Sequence, residues 1–136
     1  MSTNIKIDSK DGTPQGKLVI RTVAFPAQMN SGGNIFGGWV LGQMDTAGGI
    51  TAAEVALGRV ATVAVTAMKF EKPVHVGDVI CCYVDIVKVG NTSITTHVQA
   101  WVHRHKGTEI SEIKVTEGEF VFVALDENGK PRAVKR

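Results

Sequence analysis

Between Arg21 and Glu54 the sequence carries a single charged side chain, Asp45. Charged residues make up 21% of the chain, so one carboxylate in residues 22–53 stands out. On a helix its neighbours three and four positions away would be Leu41, Gly42, Gly48 and Gly49. None is a cation, and three have no side chain. The carboxylate would look into a notch that a small electrophile can enter, which suits a general base. The competing reading is that Asp45 marks the solvent face of an amphipathic helix. Against it, Gln43, Thr46 and Glu54 do not form a charged face with Asp45.

Upstream lies a loop rich in Gly and Asn, NSGGNIFGG (residues 30–38). If a helix starts at its end, that helix offers unpaired N–H groups and a partial positive charge. Gly37 and Gly38 would let a carbonyl oxygen approach those donors, as an oxyanion hole requires. Asn30 or Asn34 could add an amide donor, although asparagines are also ordinary turn and capping residues. The loop has neither the spacing nor the Lys of a phosphate P-loop, and it is not the dinucleotide fingerprint. The turn formed by Gly90, Asn91, Thr92 and Ser93 presents N–H groups and hydroxyls that suit a phosphate. It reads equally well as a plain hairpin turn.

Other reactive residues carry weaker patterns. Ser31, Ser93 and Ser111 lack a nucleophile-elbow context, so a serine hydrolase is not expected. His103 and His105 would share a strand face, but no further ligand pattern accompanies them; surface histidines and no metal are expected. Cys81 and Cys82 are adjacent and make neither a disulfide framework nor a metal knuckle. They fit inert thiols in a reducing cytoplasm. The Asn91-Thr92-Ser93 triplet matches a glycosylation sequon, read as coincidence because no export signal is recognised.

The elements that must position these residues follow from pattern. The 136 residues fit one domain with a substantial core. The net charge of +2 argues against general nucleic-acid binding. No apolar stretch is long enough to span a membrane. Residues 1–16 read as a flexible N-terminal arm and 17–25 as a strand ended by Pro26. Residues 38–57 contain no Pro and many Ala and predict one long helix, with Gly58 as its stop. Strands are predicted over 60–70, 77–89, 93–104 and 110–125, separated by turn signals. The domain proper is 17–126, and residues 127–136 form a C-terminal tail. The basic residues Lys130, Arg132, Lys135 and Arg136 read as a solvated group or as a contact to a phosphorylated ligand. Consecutive strands with short connections favour an antiparallel sheet, and one apolar helix would cover one face of it. The class is therefore α+β.

The run NSGGNIFGGWVLGQMD (residues 30–45) resembles the acyl-coenzyme A thioesterases of the hotdog superfamily, and in particular their short bacterial YciA-like branch. Its pattern is an Asn, a Gly-Gly before a Trp, and an Asp seven residues after the second of those glycines. GRVATV (58–63), PVHVGDVICCY (73–83), VGNTS (89–93) and GKPRAV (129–134) extend the resemblance over residues 15–134. It implies a curved antiparallel β-sheet wrapped around one long central α-helix. It also implies a homodimer with a continuous sheet, three dimers in a hexamer, and an active site at the dimer interface. Asp45 is then the general base or nucleophile, Asn30 comes from the partner protomer, and an N–H near Gly37 or Gly38 binds the oxyanion. Gly90, Asn91, Thr92, Ser93 and Arg59 would touch the coenzyme's phosphates, and Thr66 is a further candidate to line the site. The implied reaction releases a carboxylic acid and free coenzyme A without a metal or other cofactor.

Two alternatives share the fold. A non-catalytic acyl-coenzyme A sensor would bind without releasing thiol. A hotdog dehydratase would pair a His with the carboxylate, and no His lies near residues 26–45.

Overall fold

The computed structural model describes residues 6–135. Its elements are β1 (Lys6–Asp8), β2 (Lys17–Val23), a 3-10 turn (Pro26–Gln28), α1 (Gly37–Ala56), β3 (Val60–Phe70), β4 (Val79–Val89), β5 (Ser93–Lys106) and β6 (Glu109–Ala124). The strands form one sheet in the order β1-β6-β5-β4-β2, and β3 also pairs with β6. Every pairing is antiparallel except that of β1 with β6. The expected antiparallel sheet is thus mixed. The strand responsible has only three residues, too short to show a period.

Helix α1 packs against β2, β3, β4, β5 and β6, as a helix held in a curved sheet must. Val40, Met44, Ala47, Gly48, Ala52 and Ala56 form its buried face. They meet Ile80, Cys82, Val84, Val98, Phe120 and Phe122 from alternate positions of β4, β5 and β6. Each large side chain buried there contributes about 1.5–3 kcal/mol. Gly48 is required by this contact. A Cβ there would stand 3.0 Å from the Phe122 ring and 3.2 Å from Thr96 Oγ1. It is a core glycine, whereas Gly49 and Gly42 leave more space. The helix ends at Ala56, one residue short of the predicted span. Leu57 adopts the left-handed conformation at φ 54° and donates its N–H to Ala53 O.

The two chain ends are tied to the domain. β1 lies beside β6 and β2 beside β4, so residues 9–16 must cross the sheet face opposite α1. Asp11 accepts from Lys72 Nζ at 3.0 Å and from the Lys114 N–H at 3.0 Å. The Gln15 N–H donates to Gln99 Oε1, which also accepts from Trp101 Nε1. Part of the segment read from sequence as a flexible arm is therefore bound to the sheet, while residues 1–5 lie outside the described residues. At the other end Arg132 N–H bonds Ala124 O and Val134 N–H bonds Asn91 O, which folds the tail back on the domain. Arg136 lies outside the described residues.

Candidate active site

Asp45 is the ninth residue of α1 and sits at the margin of its buried face, half-buried. Its Oδ1 accepts a hydrogen bond from Thr62 Oγ1 of β3 at 2.6 Å. Asp45 joins no ion pair among the described residues. The other carboxylate oxygen has no hydrogen-bond partner among the described residues. A groove of about 480 Å³ runs past this group, lined by Gly49, Ile50, Ala53, Arg59, Thr62 and Phe122 among others. Arg59 is exposed at the far end, its Nη2 donating to Asp126 O. The groove thus holds an orienting hydroxyl, a carboxylate and a cation along one side of the helix.

Thr62 was absent from the residues singled out in the sequence. Thr66 was named instead, and it lies exposed on β3 opposite Glu119, outside the groove that holds Asp45. The register of β3 slips between Thr62 and Ala64 and again between Thr66 and Lys69. Such irregularities re-aim side chains, so strand alternation alone could not select which threonine faces the helix.

Asn30, Gly37 and Gly38 gather elsewhere. Asn30 Oδ1 accepts from the N–H groups of Gly32 at 2.9 Å and Asn34 at 3.1 Å. The turn fixes the carbonyl side of the amide and leaves its NH₂ to donate outward. Phe36 precedes the helix, and its carbonyl accepts from Trp39 and Val40. The N–H groups of Gly37 and Gly38 have no partner among the described residues, as expected for a first helical turn. Asn30 and Gly37 line a hollow of about 290 Å³ with Val40, Phe70 and Val74. Asp45 does not reach this hollow. Eight residues of helix place it roughly 12 Å along the axis from Gly37. A single chain therefore keeps the carboxylate and the helix-start N–H groups about two turns apart.

Gly90, Asn91, Thr92 and Ser93 form the turn between β4 and β5, closed by the Gly90 N–H to Ser93 O at 2.8 Å. The turn bonds through Thr92 O to Ala124 and through Asn91 O to Val134. That places it near the carboxyl end of α1, at the end of the molecule that holds Arg59. The remaining candidates are quiet. Burial pushes the Cys82 thiol up to about 12, and Cys81 is raised by the same cause, so neither is a ready nucleophile. The His103 side chain is only 12% exposed, which corrects its reading as a surface residue, and it faces Glu112 at 3.6 Å. No group of three or more His, Cys, Asp or Glu placed to hold a metal occurs among the described residues. No described helix is long and apolar enough to cross a membrane.

Comparison with known proteins places this geometry. Residues 32–108 match the family model of the Thioesterase superfamily. A protein of Salmonella typhimurium named acyl-CoA thioester hydrolase YciA is 52% identical over 123 residues, covering 90% of this chain and 92% of its own. The structure of a hexameric broad specificity acyl-coenzyme A thioesterase superposes with a TM-score of 0.88 at 46% identity, over 95% of this chain and 88% of that one. A hexameric thioesterase from Yersinia pestis gives 0.84 at 48% identity, over 91% and 99%. With one long helix in a six-stranded sheet and matches across nearly its full length, the chain belongs to the thioesterase superfamily, among the hotdog-fold relatives of YciA.

Proposed function

We propose that the chain hydrolyses acyl-coenzyme A thioesters in a site completed by a second copy of itself. The observation that carries this reading is the Asp45 carboxylate, steered by Thr62 at 2.6 Å in an open groove without an ion-pair partner. The relatives' names supply the thioester and the coenzyme.

The second copy follows from β3. This strand is an edge, and Val63 and Val65 are 57% and 41% exposed on it. A long apolar edge recruits another strand. Its Thr62 end adjoins Asp45, while the Phe70 ring lies 3.5 Å from the position a Gly37 Cβ would take. If two β3 edges pair antiparallel about a two-fold axis, the Thr62 end of one meets the Phe70 end of the other. Asp45 of one protomer then faces Gly37, Gly38 and Asn30 of its partner. That contact supplies the oxyanion donors that a single chain holds roughly 12 Å away. The hexameric relatives support a trimer of such dimers.

In this arrangement Asp45 takes a proton from water and the hydroxide adds to the thioester carbonyl. The oxygen that becomes negative is met by N–H groups of Gly37 and Gly38 and by the Asn30 amide. Collapse breaks the C–S bond, and the thiolate of coenzyme A leaves and is protonated. Direct attack by Asp45, giving an anhydride that water opens, has the same products. Neither route uses a metal or other cofactor. Free cysteines in this chain suit a reducing compartment, the cytoplasm.

A thiol-release assay across short, medium and long acyl-coenzyme A substrates tests the proposal. Asp45→Asn should lower kcat by about 10²–10⁴ with an unchanged circular dichroism spectrum. A folded variant with normal turnover would remove Asp45 from the chemistry. Tight acyl-coenzyme A binding with no thiol release by the parent protein would favour the sensor reading.

A further inference from the structure

Asp78 is the one charged residue that is fully buried among the described residues, 3% exposed. Arg104 of β5 meets it. Arg104 Nε donates to Asp78 Oδ1 at 3.1 Å and Nη2 to Asp78 Oδ2 at 2.9 Å. The same Nη2 donates to Pro73 O at 3.2 Å, and Asp78 Oδ2 also accepts the His75 N–H at 2.9 Å. Taking two charges out of water is costly, so a pair of this kind is weak ground for stability. What it fixes is shape. Carboxylate and guanidinium together clamp the connection between β3 and β4 onto the end of β5. Neither side chain lines the groove of Asp45 or the hollow of Asn30 and Gly37.

That connection grips the segment joining β2 to α1 at two places. At the first, the Ala24 N–H donates to Asp78 O at 2.9 Å and the Gly77 N–H to Ala24 O at 2.8 Å. At the second, the Ile35 N–H donates to Val74 O at 2.9 Å, and Asn34 forms a β-bridge with His75. Ala24, Ile35 and Val74 are buried, so both anchors are shielded from water. Between them the chain turns back on itself, the Asn30 N–H donating to Asn34 O at 2.6 Å. Asn30 thus stands between the anchors, and Gly37 follows the second at once. A shift of either anchor is a shift of the groups beside it.

We propose that Arg104, acting through Asp78, is a positioning residue for the oxyanion donors. It touches no substrate atom. It holds residues 73–78, and they hold the Asn30 amide and the N–H groups of Gly37 and Gly38 where Asp45 of a second copy meets the thioester. The assignment rests on the hydrolase reading above. Arginine suits the task because its planar fork reaches both carboxylate oxygens and the Pro73 carbonyl from fixed directions, whereas lysine is a point charge. Misplacing a reacting group by about 1 Å can cost about 10²-fold in rate.

Arg104→Lys keeps the charge and loses the fork. In thiol-release assays its kcat should fall about tenfold, with KM for acyl-coenzyme A within about twofold and a circular dichroism spectrum like the parent's. In an Asn30→Ala background the same change should lower kcat by about threefold or less, because one of the donors it positions is already gone. Hydrogen exchange should quicken in residues 24–38 and stay as in the parent along the paired centre of β5 and β6. An equal loss of kcat in both backgrounds would make Arg104 a general prop of the fold and overturns the assignment. So does exchange that quickens across the whole sheet. Should Arg104→Lys not fold, Asp78→Asn/Arg104→Gln removes both charges at once and carries the same expectations. A parent protein that releases no thiol removes the hydrolase reading and this role with it. An active parent whose folded variant is equally active removes this role alone.

Discussion

At the scale of single residues the proposed chemistry rests on Asp45 and Thr62. A hydroxyl donating at 2.6 Å to one carboxylate oxygen restrains the carboxyl group of a residue that lines the groove. A hydrogen bond to a charged group contributes about 1.5–3 kcal/mol. Thr62→Val should therefore lower kcat by roughly tenfold or more with a small change in KM, and Thr62→Ser should recover most of it. A larger effect on KM than on kcat would make Thr62 a binding residue. Asp45 was legible in the sequence because a lone charge in a long uncharged run is a local signal. Thr62 was not, because its contact spans 17 positions and a register shift just after it breaks the alternation that would relate it to Thr66. Asn30 acts as a turn residue, its amide oxygen accepting from Gly32 and Asn34, while its role as an amide donor belongs to the proposed site.

At the scale of elements, the length of α1 decides what one chain can do. The predicted span of 38–57 is displaced by one residue from Gly37–Ala56. Strands β2 to β6 were equally legible, since Val-rich alternation and Gly turns are written locally, whereas three-residue β1 fell in the segment read as an arm. What pattern reading could not supply was the meaning of particular glycines. Gly48 looked like part of a substrate notch, but it makes room for Phe122, a residue 74 positions away. The face of the sheet opposite α1 carries its own titratable pair. Burial holds the His103 imidazole below its ordinary value of 6.5, with Arg21 and His105 acting in the same direction and Glu112 opposing. Such a histidine is neutral in the fold and takes up a proton on unfolding. Its stability contribution is complete above about pH 6.5 and is lost progressively as pH falls below that value. The melting temperature should drop between about pH 7 and pH 5, and less steeply in His103→Gln. Parallel slopes in the two proteins would show that His103 does not set this dependence.

At the scale of the whole molecule, the sheet supplies a fold and, in the proposed function, one half of a shared site. The N-terminal segment crosses one face, the helix fills the other, and β3 is left as an apolar edge with Thr62 beside Asp45 near one end and Phe70 beside Gly37 near the other. In the sequence this came only as what the family resemblance implies; residue patterns alone did not carry it, and the roughly 12 Å between Asp45 and Gly37 follows from the built helix. Asp45→Ala and Asn30→Ala variants should each be nearly inactive alone. In a mixed dimer of the two, one site carries both changes and the other carries neither. Co-expression of the pair should therefore restore about one quarter of the parent's thiol-release activity, since half the dimers are mixed and each has one intact site. If the mixture stays as inactive as its parts while mixed dimers are present, Asp45 and Asn30 act within one chain or not together, and the shared site is wrong.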